Sequence, residues 1–346
     1  MEPDAKIFVT GATGFIGTRL VEALTERGHP VRALSRRFNP EAPPGSNAKG
    51  GPLEHELVEL VRGDLSDRDS LARGMEGCRY VFHLAAYAKN WAPDRQTFFD
   101  INVGGMQNVF DAARQQGIER VVWTSTHLTL GPTLPGQISD EDTPRTTERF
   151  FTAYEESKIA AEAIAFRQTK EGFPVVIVNP TRVFGPGHLT EGNALSRVID
   201  RYVCGKVPVL LNRGKNVANY VFVDDVVQGH ILAMRKGRIG ERYILGSENL
   251  SLKEFFKLID RVSGKRHFQM PIMGFSPLVF SYLQKKRAQW FGIYPRITPG
   301  WVRTFMADWA HDCQKARREL GYNPTPIVDG LRITYEWLQQ IRERKS

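Results

Sequence analysis

The sequence has few cysteines, no long apolar run and no excess of acidic residues, and each absence excludes a class of protein. Only three of the 346 residues are cysteines, at positions 78, 204 and 313. Their odd number and wide spacing exclude a disulfide framework or a cysteine metal site and favour a reducing compartment. No apolar stretch reaches the roughly 20 residues that a membrane-spanning helix needs. We therefore expect a cytoplasmic protein without metal ligands, a signal peptide or a membrane span.

The charge balance is basic. Lysine and arginine number 47 against 38 aspartates and glutamates, which gives a net charge of +9 and a pI near 9.5. Because the basic residues are dispersed rather than gathered in one arm, we expect an anionic substrate or cofactor and no nucleic acid. The length and the 41% of hydrophobic residues allow one large α/β domain, or a main domain with a smaller partner.

A glycine-rich turn near the start separates a buried strand from a helix. The apolar run 7–9 predicts the strand, and the apolar periodicity of 18–27 predicts the helix. Gly11 allows a tight turn, Gly14 lets a pyrophosphate approach the backbone, and Gly17 allows close helix packing. The helix N–H groups then face the anion. The alternative is an ordinary turn, because glycine motifs also occur by chance.

The next two strands end in charged residues. Arg36 and Arg37 follow the strand 31–35, where an acidic residue would bind the ribose of NAD and an arginine accommodates the 2′-phosphate of NADP. This favours NADP(H), and a solvated strand end is the alternative. Asp64 follows the third strand, where its carboxylate can accept the adenine amino group. Alternatively, Asp64 or Ser66 only caps the next helix.

Further strands at 80–86, 120–126 and 175–178 alternate with helices at 96–116 and 151–169. This alternation predicts an α/β protein with a Rossmann-type doubly wound parallel sheet.

Beyond residue 187 the alternation weakens. We therefore predict a nucleotide-binding domain over 1–187 and a smaller mixed substrate-binding region over 188–346. The strands and helix of 217–246 are expected to return to the main domain. Ser251 is expected to cap a helix that reaches residue 262.

Polar side chains cluster at the predicted edge of the sheet. Tyr154 and Lys158 are four residues apart and therefore share a helical face. Ser125 and Thr126 end the fifth strand, where parallel strands of such sheets meet a ligand. His83 lies in an apolar run, where a packed, hydrogen-bonded histidine is the expected state.

Together these residues resemble the extended short-chain dehydrogenase/reductase family, which includes NAD-dependent epimerases and dehydratases, and most closely its dihydroflavonol-reductase and 3β-hydroxysteroid-dehydrogenase branch. The resemblance extends over nearly the whole chain. The motifs that carry it are 10–17, Asp64-Leu65, 83–86, Asn102, 124–126, Tyr154 with Lys158, 179–187, 219–225 and 312–322. One departure is Phe222, which stands where the family often has histidine.

The resemblance implies roles for five residues. Tyr154 would donate or remove a proton, and Lys158 would lower the tyrosine pKa and hold the nicotinamide ribose. Thr126 would polarise the substrate oxygen, with Ser125 as the neighbour that could take this place. Asn102 would help hold the cofactor and the local backbone.

The resemblance also implies a set of cofactor contacts, with NADP(H) preferred and NAD(H) possible. They are Gly11, Thr13, Gly14, Phe15, Ile16, Gly17, Arg36, Arg37, Asp64, Leu65, Leu84, Ala85, Ala86, Thr124, Tyr154, Lys158, Pro180 and Val183.

Three functions are compatible with these residues. The first is an NADPH-dependent reductase of a ketone or aldehyde of a fairly apolar small molecule, or the reverse alcohol oxidation. The second is a nucleotide-sugar epimerase; His127-Leu128 follow Thr126 where sugar dehydratases carry an Asp-Glu pair, which disfavours elimination. The third is a protein that binds NADP without turnover, although such relatives usually lack the tyrosine or the lysine. The protein is expected to be a monomer or a homodimer.

The apolar segment 270–282 is followed by the basic cluster Lys285-Lys286-Arg287. We expect it to pack on the core as a lid over the substrate pocket or as a subunit contact. The alternative is weak peripheral contact of 270–287 with a membrane surface, which apolar residues flanked by lysine and arginine favour.

Overall fold

The computed structural model of the chain describes residues 1–2, 4–36, 52–206, 209–267, 269–272 and 275–344. Its centre is a parallel sheet of seven strands in the order β3-β2-β1-β4-β5-β6-β10. The strands are β1 (Ile7–Thr10), β2 (Val31–Ser35), β3 (Val58–Arg62), β4 (Tyr80–His83), β5 (Arg120–Thr124), β6 (Val175–Pro180) and β10 (Arg242–Leu245). The predicted doubly wound Rossmann-type sheet is confirmed.

Helices cover both faces of this sheet. The first six are α1 (Phe15–Thr25), α2 (Arg68–Met75), α3 (Gln96–Phe99), α4 (Gly105–Gln115), α5 (Ala153–Lys170) and α6 (Ala194–Val203). The others are α7 (Val223–Lys236), α8 (Leu252–Ser263), α9 (Ser276–Phe291), α10 (Pro299–Met306), α11 (Gln314–Leu320) and α12 (Ile327–Glu343). A π-helical turn, Asp100–Gly104, joins α3 to α4.

Two apolar layers hold the helices on the sheet. On one face, residues of α1, α7 and α11 pack with inward side chains such as Val9 and Val122. On the other face, residues of α2, α4 and α5 pack around Phe8, Val121 and Ile177. Strands that are buried on both faces have nearly continuous apolar sequences, as these do.

A smaller mixed sheet lies beside the main one. Its strands are β7 (Arg182–Phe184), β9 (Val217–Phe222) and β11 (Glu248–Ser251), with β7 parallel and β11 antiparallel to β9. A further parallel pair joins β8 (Val209–Leu211) to β12 (Met270–Ile272). Within 217–246, β10 joins the main sheet and α7 packs on it, whereas β9 pairs in the smaller sheet. The boundary at residue 187 stays a prediction.

Two helix starts differ from the sequence-based expectation and one agrees. The first helix begins at Phe15 rather than at residue 18, because Gly14 takes an extended conformation and ends the turn. Helix α2 is capped by Asp67, whose Oδ1 accepts from the Ser70 N–H at 3.0 Å, so neither Asp64 nor Ser66 is the cap. Ser251 caps α8 as predicted, in a reciprocal capping box with Glu254.

In the described part of the segment 270–282, which leaves out 273–274, Ile272 and Leu278 are half-buried but several apolar side chains are exposed, and its role as a lid or subunit contact stays a prediction. Strand β12 and helix α9 occupy it, and Phe275, Val279, Phe280 and Tyr282 are all exposed. Only Ser281 and Ala288 of α9 are buried. Among the described residues, no helix is both long and apolar enough to cross a membrane.

Candidate active site

The glycine-rich turn after β1 lies against the exit of β4. Gly11 has a φ of +75°, and a Cβ added to it would lie 2.7 Å from the backbone nitrogen of Ala85. A Cβ on Gly17 would lie 2.1 Å from the carbonyl oxygen of Gly11. Both positions therefore require glycine, since a side chain would force the turn away from the strand.

Helix α1 points its first turn at this cradle. The turn contains Phe15, Ile16 and Gly17, whose N–H groups have no acceptor within the helix. Thr13 and Gly14 are exposed immediately before it. A helix N-terminus after a glycine turn binds phosphate groups, so this part of the site fits the pyrophosphate of a dinucleotide.

The structure brings two predicted contacts for the adenosine end together. Arg36 Nε lies 4.0 Å from Asp64 Oδ2, and the arginine side chain is 74% exposed. Burial opposes ionisation of Asp64, but hydrogen bonds from Ser66 and the charge of Arg36 lower the pKa of its carboxyl group. Leu65 is buried beside them. Arg37 lies outside the residues that the structure describes.

Hydrogen bonds to Thr10 of β1 fix the residues that follow β4. The Leu84 N–H donates to the Thr10 carbonyl oxygen at 3.2 Å, and the Ala85 N–H donates to Thr10 Oγ1 at 3.2 Å. His83 Nδ1 lies 2.6 Å from the same hydroxyl. Burial lowers the pKa of His83 to about 3, so it is a neutral, packed side chain, as the sequence suggested. Ala86 follows, half-buried.

Lys158 is buried at the carboxyl end of β5. Its Nζ donates to the Thr124 carbonyl oxygen at 2.8 Å and lies 4.3 Å from the ring centre of Trp123. Burial lowers the pKa of this ammonium to about 7, while the charge of Glu162 acts in the opposite direction. Lys158 is therefore able to change its charge near neutral pH, as a lysine in water is not.

Tyr154 lies one turn before Lys158 on α5. Burial raises the pKa of its phenol to about 12, and a side-chain hydrogen bond with Thr126 lowers it in part. Thr126 is the extended residue that follows β5 and starts a short 3-10 helix. The neighbouring Ser125 is buried, and its Oγ has no hydrogen-bond partner within the described chain.

Asn102 connects the π-helical turn to the catalytic helix. Its Oδ1 accepts from the Tyr87 N–H at 2.7 Å, and its Nδ2 donates to Ser157 Oγ at 2.9 Å. Ser157 Oγ in turn donates to the Tyr154 carbonyl oxygen at 2.8 Å. This buried amide therefore fixes the backbone on which Tyr154 lies.

The remaining predicted contacts lie where β5 and β6 leave the sheet. Thr124 Oγ1 is 2.8 Å from His230 Nε2, Pro180 is buried opposite Leu245 in β10, and Val183 is half-buried in β7. Because β5, β6 and β10 are parallel strands of the main sheet, their carboxyl ends meet at one edge of it, where the glycine cradle also lies, whereas β7 belongs to the smaller sheet.

Sequence reasoning missed a buried carboxylate beside this site. Glu162 Oε1 accepts from Asn179 Nδ2 at 2.7 Å and from Thr129 Oγ1 at 2.8 Å, and Arg242 forms a salt bridge with it at 3.3 Å. Its position four residues after Lys158 was the available signal, because i and i+4 residues share a helical face.

A second missed group lines the region beyond Thr126. His127 Nδ1 lies 3.1 Å from His311 Nε2, and burial lowers the pKa of His311 to about 3. The Arg182 guanidinium lies over the rings of Phe305 and Tyr220, at 5.2 and 5.8 Å from their centres. These residues come from distant parts of the chain, so no local pattern could join them.

A family model described as "NAD dependent epimerase/dehydratase family" matches residues 7–246. The chain belongs to this family. It is 33% identical over 336 residues to a putative dihydroflavonol 4-reductase of Synechocystis, which covers 96% of this chain and 94% of the relative.

Two further proteins are similar to this chain over most of its length. A 3 beta-hydroxysteroid dehydrogenase/Delta 5→4-isomerase of Mycobacterium tuberculosis is 29% identical, over 92% of this chain and 86% of the relative. The crystal structure of gox2253 superimposes with a TM-score of 0.80 at 33% identity, covering 98% of both chains. The protein is thus an NAD(P)-dependent enzyme of the extended short-chain dehydrogenase/reductase type and an oxidoreductase by its relatives.

Proposed function

We propose that the enzyme uses NADPH to reduce a ketone or aldehyde of a fairly apolar small molecule, or oxidises the corresponding secondary alcohol. The observation that carries this proposal is the grouping of three side chains at the end of β5. The Tyr154 phenol shares a hydrogen bond with the Thr126 side chain. One helical turn later, the Lys158 ammonium donates a hydrogen bond to the Thr124 carbonyl oxygen. The names of the reductase and steroid dehydrogenase relatives support it.

The residues of the cradle fit a dinucleotide, since Gly11 and Gly17 leave space that any side chain would fill. Phe15, Ile16 and Gly17 would hold the pyrophosphate, and Arg36 would bind the 2′-phosphate of NADP bidentately. When bound, the nicotinamide supplies the hydride for reduction or accepts it in oxidation. NAD(H) would also fit the cradle, because among the described residues the preference for NADP(H) rests on Arg36 alone.

Side chains of the protein transfer the proton and stabilise the charges that result. With its pKa raised to about 12, Tyr154 is protonated at neutral pH and donates its proton to the carbonyl oxygen as charge develops there. Lys158 stabilises the phenolate that remains, because a positive charge nearby favours the ionised form. Thr126 Oγ donates a hydrogen bond to the same substrate oxygen, and Ser125 provides a second hydroxyl next to it.

A labelling experiment tests the reaction class. The purified enzyme is given NADPH deuterated at C4 together with hydrophobic ketones, aldehydes and UDP-sugars. We expect deuterium at the carbinol carbon of an apolar product and stoichiometric NADPH oxidation. Conversion of a UDP-sugar without net NADPH oxidation would replace the proposal with epimerisation. Binding of NADPH without turnover of any compound would favour a binding protein.

A further inference from the structure

Helix α9 has an inverted pattern of burial. Its fully buried side chains are the small ones of Ser281 and Ala288, and Leu278 and Gln284 on the same side are half-buried. Those that it turns to solvent include Leu283, Trp290 and Phe291, which are 64%, 72% and 71% exposed. An ordinary surface helix buries its apolar stripe against the core. Large apolar side chains grouped on a surface therefore indicate an apolar partner.

The exposed apolar residues share a face with basic ones. Val279, Leu283, Lys286 and Trp290 follow one another at spacings of four, three and four residues, which places them on one side of the helix. Lys286 Nζ lies 5.8 Å from the ring centre of Trp290. Arg287 is exposed beside them. The partner must therefore accept both apolar contact and positive charge.

The sequence around this helix carries charge of one sign, although Glu191 from elsewhere in the chain accepts a hydrogen bond from the Tyr294 hydroxyl at 2.8 Å. The sequence between Asp260 and Asp308 contains no acidic residue and eight basic ones, which are Arg261, Lys265, Arg266, Lys285, Lys286, Arg287, Arg296 and Arg303. This segment carries most of the excess that gives the chain its net charge of +9. A region so uniform in sign attracts an anionic surface and repels a second basic region.

We propose that residues 275–294 dock on an anionic lipid surface. Tryptophan and basic side chains prefer the headgroup region of a bilayer, where the ring is partly buried and the charge meets lipid phosphates. The 16 residues of α9 give a helix of about 24 Å, too short to span a bilayer but suited to lie along its surface. A symmetric contact between two copies would place these like charges opposite each other, which disfavours a second copy as the partner.

The docking surface lies close to the site. Helix α9 packs against α10, and Arg303 of α10 donates to the Tyr282 hydroxyl at 3.0 Å. Helix α10 in turn contacts the residues before α5, since a Cβ on Gly300 would lie 2.1 Å from the Phe151 carbonyl oxygen. Helix α10 therefore lies between the proposed lipid-binding helix α9 and the start of α5, which carries Tyr154. The lipid proposal does not depend on the reaction proposed above.

Vesicle flotation tests the proposal. The full chain is mixed with vesicles of phosphatidylcholine alone or of phosphatidylcholine with 30% phosphatidylglycerol. Each mixture is tested at about 0.1 M and at about 0.5 M salt, because salt screens the attraction between basic side chains and anionic lipids. The test variant is Lys285→Gln with Lys286→Gln and Arg287→Gln. Its control is Arg73→Gln with Arg167→Gln and Lys170→Gln, which removes the same charge from exposed positions of α2 and α5. A second variant, Trp290→Ala with Phe291→Ala, tests the apolar contact.

We expect the wild type and the control to float with anionic vesicles at low salt and to bind neutral vesicles weakly. Each basic residue near an anionic surface contributes about a fivefold gain in binding, so the triple variant should bind on the order of 100-fold more weakly. The aromatic variant should also lose binding, and the tryptophan fluorescence of the wild type, but not that of this variant, should shift to the blue when vesicles are added. Equal loss in the control, salt-independent binding or no flotation would overturn the proposal. So would a concentration-dependent dimer that buries Trp290 without lipid.

Discussion

Glu162 lies one helical turn after Lys158 on α5, and its carboxylate is the charge that opposes the effect of burial on the lysine. The lysine pKa is lowered to about 7 by burial and raised by Glu162. The carboxylate is itself fixed by Asn179, Thr129 and Arg242. The protonation of the lysine thus depends on a network that extends to the far edge of the sheet.

Replacing Glu162 by glutamine should shift the pH profile of turnover. Without the carboxylate the pKa of Lys158 falls further, so the lysine loses its charge at lower pH. The midpoint of the fall in kcat/KM at high pH should move to lower pH by about 1 to 2 units. Glu171→Gln, an exposed change at the end of the same helix, is the matched control. An unchanged midpoint together with reduced stability would leave Glu162 with a purely structural role.

Replacing Tyr154 by phenylalanine should abolish most turnover but leave NADPH binding intact. The ring and its packing remain, whereas the proton donor is lost, and proton transfer typically contributes 10²- to 10⁴-fold. Steady-state kinetics on the best carbonyl substrate and calorimetric titration with NADPH measure the two effects. Tyr335→Phe serves as a control away from β5. Turnover near the wild-type rate would contradict the proposed role.

Replacing Lys158 by methionine should change how stability depends on pH. The lysine pKa is about 7 in the folded protein and 10.5 ordinarily, so the unfolded chain binds more protons between these values. The free energy of unfolding of the wild type should therefore rise from pH 7 to pH 10, by up to about 4 kcal/mol from this group. The methionine variant should lack that rise, as urea unfolding at several pH values would measure.

The same Lys158→Met variant should also bind NADPH more weakly and turn over more slowly, because the lysine is proposed to serve both the ribose and the tyrosine. Calorimetry and steady-state kinetics separate the two losses. A variant that loses turnover but binds NADPH as the wild type does would remove the ribose contact from the proposal. A stability profile that still rises like that of the wild type would mean that another group titrates there.

Replacing Arg36 by aspartate should weaken NADPH binding by at least about 1.5–3 kcal/mol, the contribution of a charged hydrogen bond. Binding of NADH should change little or improve, since a carboxylate accepts the ribose hydroxyls. Arg73→Asp, at an exposed position of α2, controls for net charge. Tighter binding of NADH than of NADPH by the wild type would defeat the preference for NADP.

The parts of the fold that the sequence predicted depend on local patterns. The main sheet followed from apolar runs of the right length, and the cap of α8 from Ser251 with Glu254 three residues later. The predicted start of α1 was wrong because residues 15–17 belong both to the glycine-rich motif and to the helix, and the motif made them look like turn residues. The cap of α2 was wrong because Asp64, Ser66 and Asp67 are all good caps, and only the backbone path selects among them.

What the sequence missed depends on contacts between distant segments. Glu162 appeared as one more charged residue on a helix, although strands from elsewhere in the chain bury it. His127 and His311 are 184 residues apart and meet only because the end of the chain returns over β5. The orientation of α9 was also unpredictable, since an apolar sequence predicts burial and does not reveal which partner provides it.

The edge position of β10 has a consequence for how the protein is made. Strand β6 is entirely buried, and β10 pairs with it only after residues up to 245 have left the ribosome. Helices α7 and α11, which cover one face of the sheet, are synthesised later than most of the strands on which they pack. A fragment ending at residue 187 would leave the open edge of β6 free to pair with other chains. A chain truncated at that point should therefore aggregate more readily than the full chain.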